Sequence, residues 1–164
     1  MKPLFKWAGA KGKMLDAYSP IILNEIDNKD VFLDPFFGAG GMSLWVRECF
    51  PEKKITAVEY NPELSLVFRM LRDHEDEFIK RVNKIEKEYL AIPEGTGKTA
   101  ARYWYYYTMR EKYAWNTGLS ELDQATLLFF MLRICFNGVW VTRKVTNDRF
   151  GTPPGHGKEK SIHS

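Results

Sequence analysis

Several features that would place a chain of this length in a specialised class are scarce or absent. Only two of the 164 residues are cysteine, Cys49 and Cys135, and their spacing suits neither a disulfide framework nor a metal site. No apolar run approaches the roughly 20 residues that a membrane-spanning helix needs. The first residues contain no long apolar stretch and no cleavage site. We therefore predict no signal peptide, no membrane partner and a cytoplasmic location.

What the chain does contain is sufficient for a folded core. The sequence is 45% hydrophobic and 15% aromatic, which predicts about one domain. The net charge of +3 is concentrated at the ends: residues 1–13 hold four lysines and no acid, and residues 139–164 hold five cations against two acids. Basic ends are compatible with a polyanion such as DNA, and equally with two solvated ends.

The first third of the chain has the pattern of a strand, a glycine turn, a helix and a second strand. Residues 31–34 form an apolar run that ends at Asp34, and glycines follow it. Residues 42–50 have a helical pattern, residues 54–59 form a second apolar run that ends at Glu59, and Asn61-Pro62 is typical of a helix start. This order predicts a parallel pair of strands with a right-handed crossover.

The rest of the chain is predicted to be mainly helical. Residues 63–90 have a charged helical pattern, residues 92–99 form a loop, and residues 102–113 and 122–135 are predicted helices. Beyond Asn137 no element is predicted. The sequence Gly95-Thr96-Gly97-Lys98-Thr99 looks like the end of a phosphate-binding loop, but Ile92 stands where that motif needs its first glycine.

The glycine turn and the acid after the second strand are typical of a nucleotide site. A glycine turn lets a ligand approach the backbone closely, and an acid at the end of the next strand can accept both hydroxyls of a ribose. Here residues 34–40 supply the turn, and Glu59 follows Gly40 by 19 residues. The spacing does not separate a dinucleotide from S-adenosylmethionine, and a tight turn beside a solvated glutamate is the structural alternative.

Four segments, in order, resemble the D12 class of DNA adenine methyltransferases, the class of Dam and of many phage-borne enzymes. The first two resemble its F-x-K-W-A-G-G-K and D/E-P-F-x-G-x-G cofactor motifs, and the third its A-D-I-N motif with Glu59 for the usual Asp. The fourth resembles the start of its DNA-recognition region. The segments are Phe5-Lys6-Trp7-Ala8-Gly9-Ala10-Lys11, Asp34 to Gly40, Ala57-Val58-Glu59-Tyr60-Asn61, and Tyr106-Tyr107-x-x-Arg110 with Arg133-Ile134-Cys135-Phe136-Asn137-Gly138.

The resemblance implies an α/β fold: a partial Rossmann-like, S-adenosylmethionine-dependent methyltransferase core, consisting of its first βαβ unit, with a helical DNA-recognition region. Residues 1–62 would bind the cofactor, residues 63–150 would recognise double-stranded DNA, and residues 151–164 would form a tail. The implied cofactor-binding residues are Trp7, Ala8, Gly9, Lys11, Asp34, Phe36, Gly38, Gly40 and Glu59. The implied DNA-binding residues are Arg133, Asn137, Arg143, Lys144 and Arg149, and no metal is implied.

One family motif is missing from these 164 residues. The family transfers its methyl group at a D-P-P-Y-type motif that orients the adenine amino group and stacks on the flipped base. Thr152-Pro153-Pro154-Gly155 has neither the acid nor the aromatic residue, and no other segment matches. We therefore expect a portion truncated before the catalytic motif, with no catalytic residue of its own and inactive alone. About two strands alone would leave an open apolar edge. The chain would therefore join a second polypeptide carrying the remaining core, self-associate, or pack its helical part against the sheet remnant.

Other functions stay open on the sequence. The chain could be a catalytically inactive protein that binds DNA, the cofactor or another methyltransferase, as a decoy or regulator, or it could be a gene remnant. A nicotinamide-dependent dehydrogenase fits less well, because it leaves the segment from Trp7 to Lys11 unexplained.

Overall fold

A computed structural model of the chain describes residues 4–9, 11–95, 99–115, 118–142 and 150–155. The chain divides into two compact units, Met1–Pro62 and Glu63–Ser164. Of the helices within the described ranges, none combines the length and the apolar character needed to cross a membrane.

The first unit contains the strand–helix–strand arrangement. A 3-10 turn at Lys11–Met14 leads into helix α1, Leu15–Ile26, which the sequence pattern did not predict. Strand β1, Val31–Asp34, helix α2, Gly41–Cys49, and strand β2, Lys54–Ala57, follow. The two strands are parallel, with Val31 opposite Lys54 and Asp34 opposite Ala57. The predicted parallel pair is confirmed, although β2 is shorter than predicted.

Helix α2 begins where the glycine turn ends. Gly40 precedes it with φ +75°, a left-handed conformation that favours glycine. Met42, Ser43 and Val46 lie on its buried face, and α2 packs against both strands. The amide of Phe50 donates to the carbonyl of Val46 and closes the last turn. Packing of α2 on the strands and the conformation of Gly40 therefore fix the turn between β1 and α2.

The second unit is helical. Its elements are α3, Pro62–Asp73, α4, Glu75–Ala91, α5, Ala101–Trp115, α6, Glu121–Ile134, and a 3-10 turn at Phe136–Gly138. The single helical pattern over residues 63–90 is two helices, because the chain leaves helical geometry at His74 (φ −139°). Residues 151–155, predicted to belong to a tail, are part of this unit.

Helix α6 is the core of the second unit, and both α4 and α5 pack against it. Its residues 125–132 are all buried, which explains its apolar composition. Ser120 caps the helix: its hydroxyl accepts from the amide of Asp123 and donates to that residue's carboxylate. The Ser120 hydrogen bond, with a second one from Arg81, lowers the pKa of Asp123. Polar contacts therefore fix the start of a helix whose residues 125–132 are buried.

We predict that Phe130→Ala lowers the free energy of unfolding by about 3–5 kcal/mol, the range for truncating a buried aromatic side chain. Phe130 is fully buried, and its ring meets those of Tyr89 and Tyr105 at centroid distances of 5.5 and 6.1 Å. Urea denaturation followed by circular dichroism measures the loss. Ile79→Ala, at an exposed position of α4, is the control, and an equal loss in both variants would contradict a core at α6.

Candidate functional site

An open pocket of about 710 Å³ lies in the first unit, among residues that follow the two strands. The segment after β1 contributes the glycine turn, the segment after β2 contributes Glu59, and the N-terminal segment contributes Trp7. The carboxyl ends of parallel strands are where ligands of open α/β sheets bind. The full lining is Trp7, Gly9, Lys11, Pro35, Phe36, Phe37, Gly38, Ala39, Gly41, Val58, Glu59 and Tyr60.

Most of the residues expected to bind a cofactor lie in this lining, and three do not. Those in the lining are Trp7, Gly9, Lys11, Phe36, Gly38 and Glu59. Ala8 is exposed outside it, and Gly40 is buried at the start of α2. Asp34 is buried and meets the lining through its contact with Lys11. Their roles toward a ligand stay predictions.

The glycine turn has room for backbone but not for additional side chains. Gly38 has φ +56°, and a Cβ placed on it would lie 3.2 Å from Nε1 of Trp7. At Gly40 a Cβ would lie 2.8 Å from Cζ of Phe37. The indole of Trp7 can lie against the turn because Gly38 has no side chain. The N-terminal segment and the turn therefore form one wall of the pocket.

The carboxylate of Asp34 joins three parts of the first unit. Its Oδ1 accepts from Nζ of Lys11 at 2.7 Å and from the amide of Phe36 at 3.2 Å. Its Oδ2 accepts from the hydroxyl of Ser43, in α2, at 2.8 Å. Asp34 is only 3% exposed, so it is a buried charge whose compensation comes from the Lys11 ammonium and from hydrogen bonds. Asp34 and Lys11 thus form an ion pair beside the pocket.

Glu59 connects the two segments that follow the strands. Its Oε2 accepts from the amide of Gly38 at 2.8 Å, and its Oε1 accepts from the amide of Asn61 at 2.9 Å. Each carboxylate oxygen has a second lone pair. The side chain can therefore hold both loops and still accept hydrogen bonds from a ligand in the pocket.

The structure adds lining residues that sequence reasoning missed. Tyr60 is 100% exposed and Val58 is half exposed, and both line the pocket beside Glu59. Phe36, which was expected, is 77% exposed. Exposed aromatic rings beside a glycine turn offer apolar faces to a flat ligand group. The position of Tyr60 directly after the acid was the signal that could have identified it.

The expected DNA-binding residues are only partly described. Nε of Arg133 lies 3.4 Å from Oε1 of the buried Glu86, and its guanidinium lies 5.7 Å from the centre of the Phe129 ring. Asn137 is exposed and has φ +53° in the turn after α6. Arg143, Lys144 and Arg149 lie outside the described residues. The DNA-binding role of all five stays a prediction.

Comparison with known proteins gives a consistent family. The family model of the D12 class N6 adenine-specific DNA methyltransferases matches residues 7–163. Type II methyltransferase M.MjaIII of Methanocaldococcus jannaschii is 24% identical over 99% of this chain and 55% of its own length. The DNA adenine methylase of Haemophilus influenzae is 26% identical over 94% of this chain and 47% of its own length. The chain spans about half the length of the curated relatives it matches.

We predict that Glu59→Ala increases hydrogen exchange at the amides of Gly38 and Asn61 by about ten- to a hundredfold, since each loses a hydrogen bond to a charged acceptor. Amide exchange followed by NMR measures both rates. Glu52→Ala removes an exposed acid of the same unit and should change neither. Unchanged rates in Glu59→Ala would show that this carboxylate does not hold the loops.

Proposed function

The chain belongs to the D12 class of N6 adenine-specific DNA methyltransferases, and we propose that it forms the S-adenosylmethionine-binding and DNA-recognition portion of such an enzyme. The observation that supports this most directly is the pocket, which brings Trp7, Lys11, the glycine turn and Glu59 together from three separate segments. A chance match of short motifs would not require those segments to meet in space.

The charged pair in the pocket suits the amino-acid end of S-adenosylmethionine, which carries an ammonium and a carboxylate. In this structure the Lys11 ammonium donates a hydrogen bond to Asp34 Oδ1. The ligand ammonium would replace it there, one cation for another, and Lys11 would then meet the ligand carboxylate. Both protein charges stay paired throughout, which limits the cost of burying them. The bound cofactor supplies an activated methyl group, so the protein needs no metal for the transfer.

The other end of the cofactor fits the opposite set of residues. The free lone pairs of the Glu59 carboxylate can accept the two ribose hydroxyls. The exposed rings of Phe36 and Tyr60 and the indole of Trp7 offer apolar surface to the adenine and to the methylene chain. The proposal thus keeps the expected cofactor-binding roles of Trp7, Lys11, Asp34, Phe36 and Glu59.

DNA is the proposed substrate of the whole enzyme. In this portion we assign its recognition to the second unit, with Asn137, Arg143, Lys144 and Arg149 contacting the duplex. Of the five residues expected to bind DNA, Arg133 has the least support, because its guanidinium already contacts Glu86 and Phe129. The cytoplasmic location predicted from the sequence is compatible with a DNA substrate and stays a prediction.

We propose that the catalytic step depends on groups outside these 164 residues, since no D-P-P-Y motif is present in them. The sheet supports the same view. Val31 and Leu33, on one face of β1, are 49% and 58% exposed, and Val58 is half exposed. Parallel sheets are normally buried on both faces. We propose that further strands, on the same polypeptide or a second one, cover this face and bring the catalytic motif to the pocket.

A second candidate function rests on that missing motif: binding without catalysis. A chain that holds the cofactor or DNA but never receives a catalytic motif would act as a decoy or regulator. The two candidates differ in one outcome, namely whether any complementing polypeptide restores methyl transfer.

We predict that the purified chain binds S-adenosylmethionine, and that Glu59→Ala weakens binding by about tenfold or more, as expected for losing hydrogen bonds to a charged acceptor. Titration calorimetry with the 2′-deoxyribose analogue separates two causes. If Glu59 contacts the ribose, the variant no longer distinguishes cofactor from analogue. If the carboxylate acts only by holding the loops, both ligands weaken equally. Unchanged affinity would remove Glu59 from the site, with Glu52→Ala as the control.

We predict no methyl transfer to adenine-containing duplex DNA by the chain alone. Activity should appear on adding a polypeptide that carries D-P-P-Y and the remaining strands of a related methyltransferase. Incorporation of a labelled methyl group into DNA measures it. The same polypeptide with Ala for the motif's acid is the control. Transfer by the chain alone would show that the catalytic groups lie within these residues.

A further inference from the structure

One contact at the buried end of β1 has no part in the function proposed above: the hydrogen bond from Ser43 to Asp34. Ser43 lies on α2 and, like Asp34, is only 3% exposed. A serine inside a helix commonly bonds a carbonyl of its own preceding turn. The hydroxyl of Ser43 has one proton to donate, and it donates to Oδ2 of Asp34 at 2.8 Å, nine positions back along the chain. The contact therefore joins α2 to the acid that ends β1.

The described partners of the Asp34 carboxylate are of two kinds. Lys11 is a cation and donates to Oδ1 at 2.7 Å. The Phe36 amide, which donates to Oδ1, and the Ser43 hydroxyl, which donates to Oδ2, are neutral. Neutral donors hold a carboxylate without adding a positive charge beside it. If Lys11 moved away, the carboxylate would therefore stay held by its two neutral donors while its charge became available to another cation.

The direction of each Asp34 oxygen depends on both neutral donors. The terminal torsion of an aspartate side chain has a broad distribution, so its own sterics do not fix where each oxygen points. The Phe36 amide fixes one oxygen and the Ser43 hydroxyl fixes the other. Ser43 is itself placed by α2, which packs on both strands. With Oδ2 bound to α2, Oδ1 stays directed at Lys11, which lines the pocket.

A ligand group that replaces Lys11 at Oδ1 must satisfy two conditions. It must be a cation, because a neutral group would leave a buried charge uncompensated. It must also donate a hydrogen bond along a direction that Ser43 and the Phe36 amide have set. A primary ammonium satisfies both conditions. The site can therefore distinguish ligands with an amino group from ligands without one, as long as the carboxylate does not turn.

We propose that Ser43 is a positioning residue: it holds the Asp34 carboxylate on α2, so that Oδ1 receives the ammonium of S-adenosylmethionine when Lys11 leaves. This inference rests on the proposed cofactor-binding function. Ser43 is not among the residues that line the pocket, so it acts through Asp34 and not by touching the ligand. Its loss affects the amino-acid end of the cofactor and leaves the adenosine end unchanged.

The test measures the affinity of Ser43→Ala for two ligands by titration calorimetry. S-adenosylhomocysteine has both charged groups of the amino-acid end, and its des-amino analogue has the carboxylate without the ammonium. Ser43→Thr keeps a hydroxyl at the same position and is the rescue variant. Ser19→Ala, on α1 of the same unit, is the control, since Ser19 is not among the donors to Asp34. Ser43→Cys, whose thiol is a weaker donor, replaces Ser43→Ala if that variant does not fold.

Ser43→Ala should bind S-adenosylhomocysteine about five- to tenfold more weakly than the wild type, the effect of one misdirected hydrogen bond, and the des-amino analogue within about twofold. Ser43→Thr and Ser19→Ala should bind both ligands as the wild type does. An equal loss for the two ligands would show a role in stability alone and would overturn the inference. Unchanged affinity of Ser43→Ala for S-adenosylhomocysteine would overturn it as well.

Hydrogen exchange separates this inference from the proposed function. If the wild-type chain binds neither ligand, the proposed cofactor-binding function fails. The amide of Phe36 then reports on the carboxylate, because it donates to Oδ1 of Asp34. It should exchange about threefold or more faster in Ser43→Ala than in Ser43→Thr or the wild type. Equal exchange rates in the three proteins would show that Ser43 does not hold the carboxylate, and the positioning role would fail too.

Discussion

The ligand pocket of the first unit depends on a buried carboxylate, that of Asp34. It receives hydrogen bonds from the N-terminal segment through Lys11, from the glycine turn through the amide of Phe36, and from α2 through Ser43. A carboxylate without these donors could not be buried at the end of β1 without a large cost. In this structure the cation beside that carboxylate is Lys11. Under the proposed function the same carboxylate would bind the cofactor ammonium, so one side chain would have both a structural and a binding role.

Glu59 has a comparable double role after the second strand. Its two oxygens hold the amides of Gly38 and Asn61, and they keep lone pairs for a ligand. The family motif has Asp at this position, and the longer side chain of Glu59 here extends to both loops. Under the proposed function, a substitution at Glu59 would therefore change cofactor affinity in two ways, through the loops and through the ribose. The ribose analogue distinguishes them, whereas a loss of affinity alone would not.

The second unit is built on a different principle. Helix α6, whose residues 125–132 are all buried, packs against α4 and α5, so its orientation is set by packing and by its Ser120 cap. Beyond α6 the described residues up to 142 contain no further α-helix, only the 3-10 turn at Phe136–Gly138, and polar contacts hold the chain. Tyr106 and Arg110, on α5, donate to the carbonyls of Thr152 and Gly151, and the Thr152 hydroxyl donates to the carbonyl of Val139. Helix α5 thus holds the chain at Gly151 and Thr152 through hydrogen bonds.

The sequence by itself determined the parallel pair of strands, the glycine turn, the acid at Glu59 and the main helices of the second unit, because these follow from local periodicity and from residues with narrow backbone preferences. It did not predict α1, whose only buried residue is Ile26, since so little burial leaves no clear amphipathic pattern. It also merged α3 and α4, because charged helical residues continue across His74. Only the tertiary structure decided that Lys11 binds Asp34, that Tyr60 lines the pocket and that Tyr106 holds Thr152. Those contacts join residues 23 and 46 positions apart, or depend on which way an exposed side chain faces, and local sequence patterns carry no information about either.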